Sequence, residues 1–385
     1  MNNISILAHE KCTGCLLCVE VCPLKCIEME RDSLGFIYPK IDEEKCINCG
    51  MCVKKCPELA YVSKRLPKDI VAACCTDRQD LLGSSSGGLA TMLARGVVEM
   101  GGIYYGAVGA ENGQVVYSRI AEVEKINETK GSKYVQSDLK VVYENIREDI
   151  MKRKVLFVGT PCQCAAIENL CEEQKDNLII ASFPCGGWTS TKVLQSEIML
   201  HTGDVICDKV IMRDRHRVFV DIYKSGKKIS SCKPNDSYFM TALDYKLSVR
   251  ESCWNCTYSC KERVGDIVLG DFWGYEPTEV FGEKEIKDGI SFVGCLSEKG
   301  TALMNAISGC LITEHTTYGN VVKANPRLLR KVIEEKHFSL SKRNRFVRNY
   351  EKRGLKKAVL RVAAGEHLRR KIRGIIKYKI MRREE

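Results

Sequence analysis

Between Ile70 and Cys295 the chain alternates short apolar runs with longer segments of mixed character. Ile70–Cys75, Ile103–Val108, Val155–Gly159, Leu178–Phe183, Val218–Tyr223, Ile267–Gly270 and Ser291–Cys295 have strand length and are too short for buried helices. Between them, apolar residues recur at three- and four-residue spacing, as in Leu89, Met92, Leu93 and Val97. That period predicts amphipathic helices over Gly88–Met100, Leu139–Met151, Cys164–Cys171 and Thr191–His201. The alternation predicts an α/β domain with a mixed sheet over residues 68–325. Residues 1–62 lack this texture and show only small strands, such as Phe36–Lys40, between cysteine clusters. A short linker, Lys64-Arg65-Leu66-Pro67, follows them. Residues 326–385 read as helix throughout. The fold class expected is therefore α+β followed by α/β, with a helical tail.

Composition narrows the picture. With 385 residues the chain is long enough for two domains and a sizeable core. No apolar run reaches the length of a membrane span. The first residues contain no long apolar signal core, which points to the cytoplasm. There thiols stay reduced, so the 22 cysteines read as metal ligands and buried thiols and not as a disulfide framework. The net charge of +11 is uneven. The segment from Ser341 to Glu385 holds 17 Lys and Arg against 4 acidic residues, which leaves the rest of the chain near neutrality.

Eight cysteines form one motif twice. Cys12-x2-Cys15-x2-Cys18-x3-Cys22-Pro23 recurs 34 positions later as Cys46-x2-Cys49-x2-Cys52-x3-Cys56-Pro57. This is the bacterial two-cluster run, in which the fourth cysteine of each copy ligates the other 4Fe-4S cluster. One cluster takes Cys12, Cys15, Cys18 and Cys56; the other takes Cys46, Cys49, Cys52 and Cys22. Three thiolates on a tight loop cap three corners of the cube, and the crossed fourth ligand locks the halves together. Zinc knuckles share the C-x2-C element but lack the third x2 step and the x3-Cys-Pro ending.

Four more cysteines stand where chemistry could concentrate. Cys162 follows strand Val155–Gly159 at a helix start, where amide dipoles favour a thiolate. Cys185 follows strand Leu178–Phe183, and Cys253-x2-Cys256 precedes Asp271-Phe272-Trp273-Gly274. Strand ends are where α/β sheets place their sites. The four would converge on a third cluster. Zinc held by Cys253, Cys256 and Cys260, or inert buried thiols, are the competing readings. Ser84-Ser85-Ser86-Gly87-Gly88 opens a helix and could cradle a phosphate, or could be a plain cap. Lys133-Tyr134 sits in a polar turn. Cys26, Cys74, Cys75, Cys164, Cys171, Cys207, Cys232, Cys295 and Cys310 read as thiols without a ligand role, and the six histidines suggest no metal site of their own.

Taken in order, the cysteine repeat, Ser-Ser-Gly-Gly, Ser-Lys-Tyr-Val-Gln-Ser, Val-Gly-Thr-Pro-Cys-Gln, Cys-x2-Cys and Asp-Phe-Trp-Gly resemble the coenzyme F-420 hydrogenase/dehydrogenase beta-subunit family, in its bacterial form with a fused ferredoxin. The resemblance covers roughly residues 1–320. It implies a flavin-binding α/β domain carrying FAD (or FMN) beside a third 4Fe-4S cluster held by Cys162, Cys185, Cys253 and Cys256. Ser85, Ser86, Gly87 and Gly88 become the flavin-phosphate turn, with Lys133, Tyr134 and Thr160 as further cofactor contacts. The implied activity is electron transfer between clusters and a flavin that exchanges hydride with an organic substrate or a deazaflavin coenzyme. A non-catalytic ferredoxin-type subunit of a larger dehydrogenase is the alternative. Cys260 is an extra cysteine beside the proposed ligands.

The tail interleaves Val359, Val362, Ile372, Ile375, Ile376 and Ile380 with Arg361, Arg369, Arg370, Lys371, Arg373 and Lys377. A helix packed on its own domain, an interfacial helix on anionic lipid at the inner membrane face, and an acidic protein partner are the three readings. A redox partner protein or low-potential donor is expected; nucleic acid is not, since no recognition module accompanies the basic tail.

Overall fold

The computed structural model describes residues 2–214 and 217–381, except the side chains of residues 217 and 373–381. In the N-terminal module, β1 (Ile27–Arg31) and β2 (Ile37–Ile41) pair antiparallel. The two cysteine loops wind alike. Gly14 and Leu16 take left-handed backbone in the first, and Asn48 and Gly50 at the matching positions of the second. A Cβ on Gly14 would lie 2.7 Å from the Arg250 guanidinium, so glycine is needed there for space as well as for φ.

The body is built on eight strands: β3 (Lys68–Cys75), β4 (Ile103–Gly109), β5 (Val115–Ile120), β6 (Val155–Gly159) and β7 (Leu178–Ser182), then β11, β12 and β13 after an inserted meander. That meander is β8 (Lys209–Asp214), β9 (Arg217–Lys224) and β10 (Lys227–Cys232), a separate antiparallel sheet. β11 (Ile267–Asp271), β12 (Ser291–Cys295) and β13 (Leu311–His315) complete the large sheet, ordered β13-β3-β12-β11-β7-β6-β4-β5. β11, β7, β6 and β4 run parallel, and β3 shares their direction through antiparallel β12. Five carboxyl ends therefore open on one edge of the sheet.

Central strands β6, β7 and β12 are buried at every position, as expected for strands covered on both faces. Leu156, Val158, Ile179 and Ala181 pack with the helix Leu89–Glu99. Their alternating neighbours Val155, Phe157, Leu178 and Ile180 pack with the helices Lys140–Lys152 and Pro161–Leu170. Leu17 of the ferredoxin module joins this second core. The meander, the helices Thr191–Thr202 and Tyr238–Asp244, and the tail form a third core that also takes in Leu34, Phe36 and Tyr38.

All seven strands read from the sequence of the body are present, with ends within two residues, but Arg217–Lys224 belongs to the small meander. The predicted continuous helix over 326–385 needs correction. Residues 326–339 are short turns and loop, and the helix runs Leu340–Met381 with non-helical backbone at Gly354 and Ala363. Phe346, Tyr350, Leu355, Ala358 and Val359 are buried against the third core, so this stretch packs on its own domain. The side chains of Arg373, Ile375, Ile376, Lys377 and Ile380 lie outside the described residues. No described helix is long and apolar enough to cross a membrane.

Candidate iron–sulfur and flavin site

Cys12, Cys15, Cys18 and Cys56 share one environment. The charge each thiolate would carry raises the pKa of its neighbours: Cys18 responds to Cys15, Cys12 and Cys56, and Cys56 to Cys15 and Cys12. Burial and then this repulsion push Cys56 up to about 12; burial pushes Cys15 up to about 11. Cys22, Cys46, Cys49 and Cys52 line a second cavity, with Cys26 as a fifth thiol whose Sγ is 3.4 Å from that of Cys22. In both places the cysteine paired with each loop comes from the other repeat. Four buried sulfurs that cannot ionise together need a cationic core, and a 4Fe-4S cluster fits that donor set.

Cys162, Cys185, Cys253 and Cys256 form a third group of the same kind. Burial raises all four thiols, and Cys162 further feels Cys185, Cys256 and Cys253. Cys162 lies in the first turn after β6, where it shares a 3.4 Å hydrogen bond with Thr160 Oγ1. Cys185 follows β7. Cys253 arrives on a loop that closes over Gly187, whose added Cβ would lie 3.2 Å from Cys253 Cβ. Cys260 stands apart, with its thiol bonded to the carbonyls of Thr257 and Glu262 on its own loop.

The sequence did not single out the residues that join this group to the ferredoxin module. Arg250 is fully buried; it donates to the Cys12 carbonyl at 2.8 Å, the Ile37 carbonyl at 2.7 Å and Cys12 Sγ at 3.7 Å. Its guanidinium lies 4.2 Å over the Tyr38 ring. Gln136 accepts from Arg250 and donates to the Gly14 carbonyl at 2.9 Å. Tyr143 donates to the Cys15 carbonyl at 2.6 Å, and Tyr258 to the Pro57 carbonyl at 3.3 Å. Both phenols are held neutral by burial and by thiolate charge from Cys15 and Cys162. No local spacing marks these residues, because each reaches a partner more than a hundred positions away.

The Ser85–Gly88 turn follows β3 on the same edge. Ser86 Oγ donates to the Ile290 carbonyl at 2.8 Å, and the Gly87 amide to Ser291 Oγ at 3.0 Å. A Cβ on Gly87 would lie 2.3 Å from the Ala73 carbonyl, so this glycine serves sheet packing. Beside the turn, Arg213 donates to the Ser85 carbonyl at 2.9 Å and to Asp271 at 2.7 Å, with Trp273 under its guanidinium. Tyr134 senses Arg213 and Asp271. Lys133 Nζ donates to the Thr129 and Lys130 carbonyls at 2.6 and 3.1 Å. Thr160 caps the helix behind Cys162 and donates to Gln163 Oε1 at 3.1 Å.

Residues 152–317 match the family model for the C terminus of the coenzyme F420 hydrogenase/dehydrogenase beta subunit, and residues 11–60 and 38–117 match two 4Fe-4S dicluster models. The chain is a 4Fe-4S dicluster module fused to an F420 hydrogenase/dehydrogenase beta-subunit domain. Thr160 and the four cysteines of the third group fall inside the beta-subunit match, whereas Ser85–Gly88, Lys133 and Tyr134 precede it. A chain of the xenon-derivatised F420-reducing [NiFe] hydrogenase complex from Methanosarcina barkeri aligns with 73% of this chain and 93% of its own, at 18% identity and a TM-score of 0.48. No curated protein matches. The module and the beta-subunit domain make this an iron–sulfur electron-transfer protein of F420 hydrogenase/dehydrogenase type.

Proposed function

We propose that the chain is an iron–sulfur flavoprotein oxidoreductase. Electrons pass between the two clusters of the module, a third 4Fe-4S cluster on Cys162, Cys185, Cys253 and Cys256, and a flavin (FAD or FMN). The flavin exchanges hydride with an organic substrate or a deazaflavin coenzyme of F420 type. The observation that carries this reading is the gathering of four buried thiols from three chain segments at the carboxyl edge of the sheet, with Tyr143 and Tyr258 between them and Cys15.

A bound flavin would convert single electrons to hydride. The chain's own groups supply binding and orientation. The guanidinium of Arg213, fixed by Asp271, offers fixed positive charge toward a phosphate or a flavin ring edge. Ser86 and the Gly87 amide are engaged by β12, so Ser85 and the start of the helix Leu89–Glu99 are the donors this reading relies on at the turn. A protein donor would meet the Cys22–Cys46–Cys49–Cys52 end of the module, where Cys49 is exposed beside Leu24, Ile47 and Met51.

Anaerobic reconstitution followed by iron, sulfide and flavin quantification on one sample tests the proposal. About twelve irons and one flavin per chain are expected. About eight irons without flavin would overturn it and make the chain a carrier subunit.

A further inference from the structure

A second metal-binding constellation lies away from the twelve cysteines above. Glu197 and His201 stand one turn apart on the helix Thr191–Thr202, so their side chains share a face. Cys232 closes β10 against them. The candidate ligand atoms of all three lie within 4.8 Å of one another. Glu197 Oε1 is 3.3 Å from His201 Nε2 and 3.8 Å from Cys232 Sγ. The other carboxylate oxygen accepts from the Phe239 amide at 3.1 Å, which fixes the group's orientation as outer partners do for ligating carboxylates. Glu197 is fully buried and Cys232 is 3% exposed. A carboxylate so buried needs more than one amide and a thiol to replace water.

A further donor stands in the same corner. His367 from the tail stacks on Tyr238, next to Phe239, with ring centroids 4.6 Å apart. Its Nδ1 bonds Thr241 Oγ1 at 2.8 Å, while its buried Nε2 has no partner among the described residues.

We propose that Glu197, His201 and Cys232 bind one zinc ion. A thiolate, an imidazole and a carboxylate form a zinc donor set, whereas calcium and magnesium require oxygen ligands throughout. Three protein ligands leave one position for water. On binding, the metal replaces the Cys232 thiol proton, which passes to solvent; His201 coordinates as the neutral ring, and no electron is transferred. The ion ties the helix Thr191–Thr202 to the connection between β10 and the helix Tyr238–Asp244, beneath the tail. Neither Cys232 nor any histidine carries this signal in the sequence, since 31 to 35 positions separate the thiol from the other two ligands.

The test uses the full chain, reconstituted with iron and sulfide, dialysed with zinc and measured for metal content and zinc X-ray absorption. One zinc per chain is expected, with a single sulfur at about 2.3 Å and nitrogen or oxygen at about 2.0 Å. His201→Gln, at a half-exposed position, and Cys232→Ser should each lose the zinc while keeping the parent's iron content. Absence of zinc from the parent, zinc surrounded by four sulfurs as in an unfilled cluster site, or equal zinc in parent and both variants would each overturn the assignment.

Discussion

Lys133 shows how placement alone changes a side chain's chemistry. Burial, reinforced by the charge of Lys209, lowers its pKa from the ordinary lysine value to about 7. Between about pH 7 and that ordinary value the unfolded chain holds the proton and the folded chain does not. Unfolding therefore takes up a proton, and stability rises with pH through this window; below it the penalty is complete. Lys133→Met removes the linkage. Relative to that variant, the parent should gain stability from pH 7 to 8.5 at a slope approaching about 1.4 kcal/mol per pH unit. Denaturant melts across this range measure the difference, and parallel pH profiles for the two proteins would contradict it. In the sequence Lys133 is one lysine in a polar turn. The eight module cysteines were legible because their geometry is local and repeated. Arg250 was not, because its partners Cys12, Ile37 and Gln136 are distant in the chain and only folding brings them to it.

Among elements, the apolar central strands were readable because burial on both faces makes them continuous runs, as in Val155–Gly159 and Ser291–Cys295. β8, β10 and β13 were not. Lys227–Cys232 contains two lysines and two serines, and it is held as a strand by pairing with β9. The tail's period marked a helix but not its destination. Phe346 is fully buried in the third core. Phe346→Ala should therefore destabilise the protein by about 3–5 kcal/mol. A lowered urea midpoint with unchanged iron content is the expected result. A change below about 0.5 kcal/mol would show that this helix is not held as described.

At the scale of the molecule, Arg250 places a buried positive charge between the module and the loop that carries Cys253. A cluster gains negative charge on reduction, so this cation favours the reduced state of the cluster on Cys12. Arg250→Met should lower that cluster's midpoint potential by at least about 60 mV, a tenfold change for one electron; Arg250→Lys should restore most of it. Redox titration followed by electron paramagnetic resonance measures both, and an unchanged potential in Arg250→Met would refute the role. The loop around Cys253 and Cys256 is also fastened from both ends of the chain. Thr257 and Tyr258 bond Glu58 and Pro57 of the module, and Arg343 of the tail pairs with Glu251 at 3.2 Å and lies over Trp254. This carries a consequence for biogenesis. The ferredoxin module has all its ligands as soon as Cys56 leaves the ribosome, whereas the third ligand set needs Cys256 and is clamped only after Arg343 has been made. Cofactor loading in the cell is thereby ordered in time, early in synthesis for the module and late for the third site.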